Sequence, residues 1–152
     1  MELRILEPHD APALAQMTND PRITGMVNFL PETFTTADAE KLIAGDGSGR
    51  DHYLGAWLEG MGELAAMIGV HFHDSGETEI GYWVKADLHG RGIASEAAAA
   101  AIDMLRTHFP ERPIIAECRT ANVASWRLLE KLGFHGTGEA GRRPGRERLA
   151  LI

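Results

Sequence analysis

Residues 89–94 read His89-Gly90-Arg91-Gly92-Ile93-Ala94, and residues 122–134 read Asn122-Val-Ala-Ser125-Trp-Arg127-Leu-Leu-Glu130-Lys131-Leu-Gly133-Phe134. The first stretch follows the run Glu79-Ile-Gly-Tyr82-Trp83-Val84 and precedes IASEAAAAAIDMLRTHF, which is rich in alanine, acidic early and basic late at Arg106 and His108. Propensity and charge placement make that segment a helix with a complemented dipole. The order is therefore strand, loop, helix. Gly90 and Gly92 let backbone approach a ligand closely. Amides that open a helix have no partners within it and carry about half a positive charge between them. Arg91 adds a full charge. Such a loop suits a phosphate or pyrophosphate, and it is neither a P-loop nor a dinucleotide fingerprint, because the Gly-Lys-Ser/Thr ending and the third glycine are missing. Taken alone, a glycine pair before a helix also suits a plain tight turn. The second stretch, taken alone, is a helix capped by Asn122, with Gly133 in a left-handed closing position and Phe134 as its apolar partner.

Around these stretches the chain alternates between the two periodicities. Residues 2–7 read as a strand and residues 10–18 as a helix with Asp10 as N-cap. Residues 19–35 read as irregular, and Thr36 caps a second helix. Residues 52–58 and 64–72 form an expected hairpin around Gly60 and Gly62, and residues 79–84 and 114–118 are expected strands. The tail reads as a hairpin turning at Arg143-Pro144-Gly145. The expected fold is mixed α/β: one central sheet of about seven strands, flanked by about four helices, in a single domain over residues 1–152.

Twenty-two acids against 15 lysines and arginines give a formal net charge of -7. That argues against direct nucleic-acid binding, which neutralises phosphates with basic side chains, and it suits a cationic partner such as an amine. An anionic ligand then needs a local device, and the loop at 89–94 is one. No apolar run is long enough to span a bilayer, and the first residues lack the order of a secretion signal. The lone cysteine, Cys118, forms no internal disulfide, so a cytoplasmic location is expected.

The two stretches together resemble the GNAT superfamily of acyl-CoA N-acyltransferases. The family's pyrophosphate loop, Gln/Arg-x-x-Gly-x-Gly/Ala, is matched by His89-x-x-Gly92-x-Ala94. Its second block, Asn-x-x-Ser/Ala with a Glu-Lys-x-Gly-Phe ending, is matched in full. The run from Glu79 to Val84, the N-terminal LRILEPHDAPAL and Asn19-Asp20-Pro21 are similar to the branch containing the ribosomal-protein N-terminal acetyltransferases RimJ and RimL. The resemblance implies acetyl-CoA as co-substrate and a primary amine, on a peptide N-terminus or a small molecule, as acceptor. It implies two parallel strands that splay, with the pantetheine arm paired to the backbone of Tyr82, Trp83 and Val84. The pyrophosphate would lie on the loop from His89 through Gly90, Arg91, Gly92 and Ile93 to Ala94, an oxyanion would be held near Val84, and Asn122 would sit near the sulfur.

The chain departs from the family twice. His89 stands where Gln or Arg is usual. Leu129 stands seven residues after Asn122, where many relatives carry a tyrosine that protonates the departing thiolate. Ser125 is the nominated substitute, against the alternative that it only bonds backbone in the first helical turn. A primary alkylamine holds its proton to about pH 10 and an α-amine to about pH 8, so a base is useful. Glu79 is the first candidate, with a solvated strand end as its plainer reading, and His71 on the preceding strand is the second. The acceptor is expected beside residues 22–34, where Met26, Phe29 and Leu30 would form an apolar wall. His71-Phe-His73-Asp74 has a spacing that could hold metal, but no further acidic or histidine cluster accompanies it, so no metal is expected. A different class of function, an acetyl-CoA-binding sensor without turnover, is compatible with the missing tyrosine. The arginine-rich tail is read as an exposed turn and strand. The oligomeric state is left open, a homodimer included.

Overall fold

The computed structural model describes residues 1–27, 29–60 and 62–152. Seven strands form one sheet: β1 (Glu2–Ile5), β2 (Asp51–Leu58), β3 (Glu63–Phe72), β4 (Thr78–Val84), β5 (Ile114–Cys118), β6 (Phe134–Ala140) and β7 (Glu147–Leu151). Their spatial order is β1-β2-β3-β4-β5-β7-β6. All pairings are antiparallel except β4 with β5, which is parallel. A parallel neighbour needs a crossover. Here it is α4 (Ile93–His108), the longest helix among the described residues.

The buried positions of α4, Ala97, Ala98, Ala101, Ile102 and Leu105, recur at helical spacing and make one face. That face packs with Ile68, Val70, Ile80 and Val84 from β3 and β4. Three of its five buried residues are alanines, so the helix axis lies close to the sheet. On the opposite face, α1 (Ala11–Thr18) and α3 (Thr36–Ala44) bury Leu14, Met17 and Ala39 with Leu64, Met67 and Trp83. Strand alternation sorts β4 between the two cores. Ile80, Tyr82 and Val84 face α4, while Trp83 faces α1 and α3.

The local signals hold with small shifts. Asp10 precedes α1 without capping it; its carboxylate accepts instead from Arg4 and from the Glu7 amide. The cap of α3 is Thr35, one residue before the expected Thr36, in a reciprocal box with Asp38. Within the segment expected to be irregular, Pro21–Thr24 form a single helical turn, α2, capped by Asp20. Asn122 caps α5 (Val123–Lys131), accepting from the Ser125 amide at 3.3 Å, and Gly133 follows at φ 104.

Candidate active site

β4 and β5 pair at Thr78 with Ile114 and at Glu79 with Ile115, where the Thr78 amide donates to the Pro113 carbonyl at 2.8 Å. Beyond those rungs β4 stays with β3 as far as Val84, and β5 turns to β7 as far as Cys118. A gap opens between them. The phase of β4 shows which backbone groups face it. His73 donates to the Glu77 carbonyl at 2.9 Å and Lys85 donates to the Ala65 carbonyl at 2.8 Å. In an antiparallel ladder such bonded pairs alternate, so residues 77, 79, 81, 83 and 85 address β3. Tyr82 and Val84 therefore turn their backbone polar groups to the gap, while the Ile80 amide is spent on the Glu79–Ile115 rung. Trp83 is a correction to the sequence reading: its backbone is directed to Met67 in β3, and its indole donates to the Thr18 hydroxyl at 3.0 Å on the far face.

The gap continues into a cavity of about 500 Å³. Gly90, Gly92, Ile93, Ala94 and Ser95 line one end of it. Gly90 and Gly92 adopt φ 78 and φ 76, a region costly for residues with a Cβ, and a Cβ at either would meet nothing within 4 Å. The second glycine is the N-cap of α4 and offers no side chain to its first amides, so those amides stand ready for an anion. Arg91 is exposed and lies outside the cavity lining, so its charge reaches a ligand only from the rim. His89 lines the cavity, yet its Nε2 is 2.9 Å from the Val84 carbonyl. A carbonyl only accepts, so that nitrogen carries the proton and braces the loop against the end of β4. The imidazole is thereby a strut, since in the neutral ring its other nitrogen is a lone pair with no proton to give a phosphate.

Leu129, at the position of the family's tyrosine, is buried in the core. A phenol nevertheless reaches the gap from the neighbouring strand: the Tyr82 hydroxyl is 2.9 Å from Ser125 Oγ. Burial raises the Tyr82 pKa, and the bond from Ser125 only partly offsets this, so the phenol is a protonated donor at neutral pH. Sequence reasoning placed the backbone of Tyr82 here but not its side chain. The alternation of β4, which turns even positions toward α4 and α5, was the available signal. Cys118 lines the same wall, with burial pushing its thiol up.

The other end of the cavity is built from charged side chains. Glu79 is 3% exposed, which corrects the reading of a solvated strand end. Its carboxylate accepts from Arg143 at 2.6 Å and faces His73 Nε2 at 2.9 Å. Burial alone would raise its pKa, but the bonds from Arg143 and His73 outweigh that and hold the carboxyl below its ordinary range. A carboxylate so held is a poor base. His71 is different. Its Nδ1 lies 2.8 Å from Asp51 Oδ1, an acceptor that fixes the proton there and leaves Nε2 as a lone pair. Both rings of the His71–Tyr53 pair line the cavity, in edge-on contact at 5.9 Å. Gly69 makes room for the imidazole, since a Cβ there would lie 2.9 Å from Nε2. Each of His71 and His73 is thus bonded to a carboxylate, and no group of three or more metal-ligating side chains occurs among the described residues.

Of the expected apolar wall, Met26 and Phe29 line the cavity and are more than half exposed, with the Phe29 ring 6.0 Å from that of Trp83. Leu30 is a correction: it is 8% exposed, packs in the core under α1 and α3, and does not line the cavity. Asn28, inside the same segment, lies outside the described residues. The arginine-rich tail forms the expected turn and strand, and the turn also folds over the cavity. The turn between β6 and β7 is pinned by Glu117, whose carboxylate accepts from the Arg142 and Arg143 amides at 2.8 and 3.1 Å. Arg143 and Arg146 consequently line the cavity. This link joins residues far apart in sequence, and no local pattern announced it. No helix among the described residues is long and apolar enough to cross a membrane.

Comparison with known proteins gives one account of this geometry. The N-acetyltransferase p20 of Bacillus licheniformis, itself uncharacterised, is 29% identical over 143 residues, covering 91% of this chain and 80% of the relative. YdaF of Bacillus subtilis, described as a candidate ribosomal N-acetyltransferase, is 29% identical over 146 residues, covering 91% and 79%. The structure of AAC(6')-Ib in complex with ribostamycin and coenzyme A superposes with a TM-score of 0.84 at 20% identity, covering 99% of this chain and 92% of that one, a likeness of fold. The family model described as the acetyltransferase (GNAT) domain matches residues 1–135. Because that match takes in both parting strands, the loop and the two helices at their ends, the chain belongs to the GNAT acetyltransferases.

Proposed function

We propose that this acetyltransferase moves an acetyl group from acetyl-CoA to a primary amine, on a peptide N-terminus or a small molecule, by direct attack in a ternary complex in the cytoplasm. The observation that carries the reading is the parting of β4 from β5, with the backbone of Tyr82 and Val84 turned to a gap that ends at the amides opening α4. An extended amide-bearing arm suits such an edge, and a diphosphate suits the glycine-lined helix start. The Asn122 side-chain amino group, left over by the capping bond, faces the same cavity and can donate to the arm near its sulfur.

In this reading His71, held by Asp51, takes the proton from the ammonium form of the acceptor. The neutral amine attacks the thioester carbon, and the Val84 amide stabilises the oxyanion. As the carbon–sulfur bond breaks, Tyr82 gives its proton to the thiolate, with Ser125 orienting the phenol. The proton still carried by the new amide nitrogen returns to Tyr82, so the phenol is restored and the thiol leaves neutral. Glu79 keeps Arg143 and His73 in place rather than acting as the base. Thiol release from acetyl-CoA, followed over peptides, polyamines, amino acids and aminoglycosides, tests the reading. Release with at least one class is expected. Tight CoA binding with no release for any amine would leave an acetyl-CoA-binding sensor instead.

A further inference from the structure

Four arginines line the cavity: Arg22, Arg119, Arg143 and Arg146. Two are neutralised by the protein. Arg22 pairs with Asp20 and Asp87, and Arg143 pairs with Glu79 and Glu117. Arg119 and Arg146 stand in no ion pair among the described residues. Arg146 is also partly buried, and its Nε is shielded from solvent with no hydrogen-bond partner. A buried guanidinium donor left unbonded costs about 1–3 kcal/mol and calls for a partner. The carboxylate that pins the turn, Glu117 of β5, is already committed to the Arg142 and Arg143 amides and to the Arg143 guanidinium.

The turn that bears Arg146 is held rigidly. Gly141 donates to the Arg146 carbonyl at 2.7 Å, and a Cβ on Gly141 would lie 2.7 Å from a Glu117 oxygen. The same turn carries Arg143 to Glu79, on the face of β4 opposite to Tyr82 and α4. Arg146 precedes Glu147, the partner of Cys118, so it flanks Arg119 at the end of β5. In a chain with a net charge of -7, two unpaired arginines at this end make a local positive site against the global field.

We infer that Arg146, assisted by Arg119, binds a carboxylate on the acceptor, so that the preferred amine also carries an acid: a free amino acid or a peptide beginning with Asp or Glu. The inference rests on the transferase reading above. Arginine meets carboxylate with paired donors. Cationic acceptors without an acid, polyamines among them, lack the group that completes the site.

The test measures thiol release with matched acceptors. Amino acids are set against their amides and their decarboxylated amines, and peptides beginning with Asp or Glu against those beginning with Asn or Gln. A preference of at least about tenfold in kcat/KM for the acid is expected in one arm, which also tells free amino acid from peptide. Arg146→Met should bring the ratio close to one through the acceptor KM, and Arg146→Lys should restore part of it. Circular dichroism and the KM for acetyl-CoA, measured on the same variants, separate this from misfolding. Equal rates for acid and amide would overturn the inference and leave the transferase reading intact. A rise confined to the KM for acetyl-CoA would assign Arg146 to the co-substrate and also overturn it. No release with any acceptor would remove both readings.

Discussion

The two ends of the cavity are made of different material. At the α4 end the candidate binding groups are backbone: the amides of Tyr82 and Val84 and those opening the helix, shaped by two left-handed glycines. At the β6–β7 end they are side chains: Asp51, His71, Glu79, Glu117, Arg143 and Arg146, drawn from β2, β3, β4, β5 and the final turn. A backbone site recognises what all its co-substrate molecules share. A side-chain site can be re-specified one residue at a time. The fold thus keeps a constant end and a variable end within one cavity.

Substitutions can break that comparison, and the largest effect is expected at the charged end. Glu79→Leu leaves Arg143 without its closest partner and should cost about 3 kcal/mol in urea unfolding, the low side for a buried pair because Arg143 keeps a third of its side chain exposed. The same residue sets an acid limit. Its folded pKa lies below the ordinary 4.5. The stability it contributes is complete above that ordinary value and is lost as pH falls through the lower folded value. Melting temperature against pH should therefore drop on the acid side, and the drop should be shallower in Glu79→Gln.

At the backbone end, Tyr82→Phe should lower kcat about 10²-fold with little change in the KM for acetyl-CoA, because it removes a proton donor and no contact of the arm. An unchanged kcat would return the role to Ser125 or to water. Gly92→Val forces a branched side chain into φ 76 and should raise the KM for acetyl-CoA about tenfold while sparing the acceptor KM. If both constants rise together, the two ends are not separable. Ser125→Ala is the mildest: a few-fold loss in kcat is expected, since one neutral hydrogen bond to Tyr82 is worth about 1 kcal/mol.

The same contrast explains how much could be read from the chain. The glycine loop, the Asn122 cap and the left-handed Gly133 are short-range features, each legible from a few neighbouring residues, and the cap of α3 was legible to within one residue. The parallel pair β4–β5 was expected from the family resemblance, and the strand–helix–strand order agrees with it. The Tyr82–Ser125 contact spans 43 residues and the Arg143–Glu79 pair spans 64, so neither had a local signature. Glu79 misled because a carboxylate at a strand end is ordinarily wet, and here a distant turn folds over it. Leu30 misled because an apolar residue in an irregular segment can equally be wall or core, and neighbouring Phe29 and Leu30 took opposite sides.

One feature of the sheet has a mechanical meaning. Among the described residues only two rungs, at Thr78 and Glu79, bind the panel of β1 to β4 to the panel of β5 to β7. The sheet is thus two leaves on a short spine, with His89 latching the Val84 tip of one leaf to the loop above it. Whatever lies between the leaves supplies the missing rungs, so a co-substrate seated there would act as a splint: amide exchange at Tyr82 and Val84 should slow when it is bound and quicken when the thiol leaves.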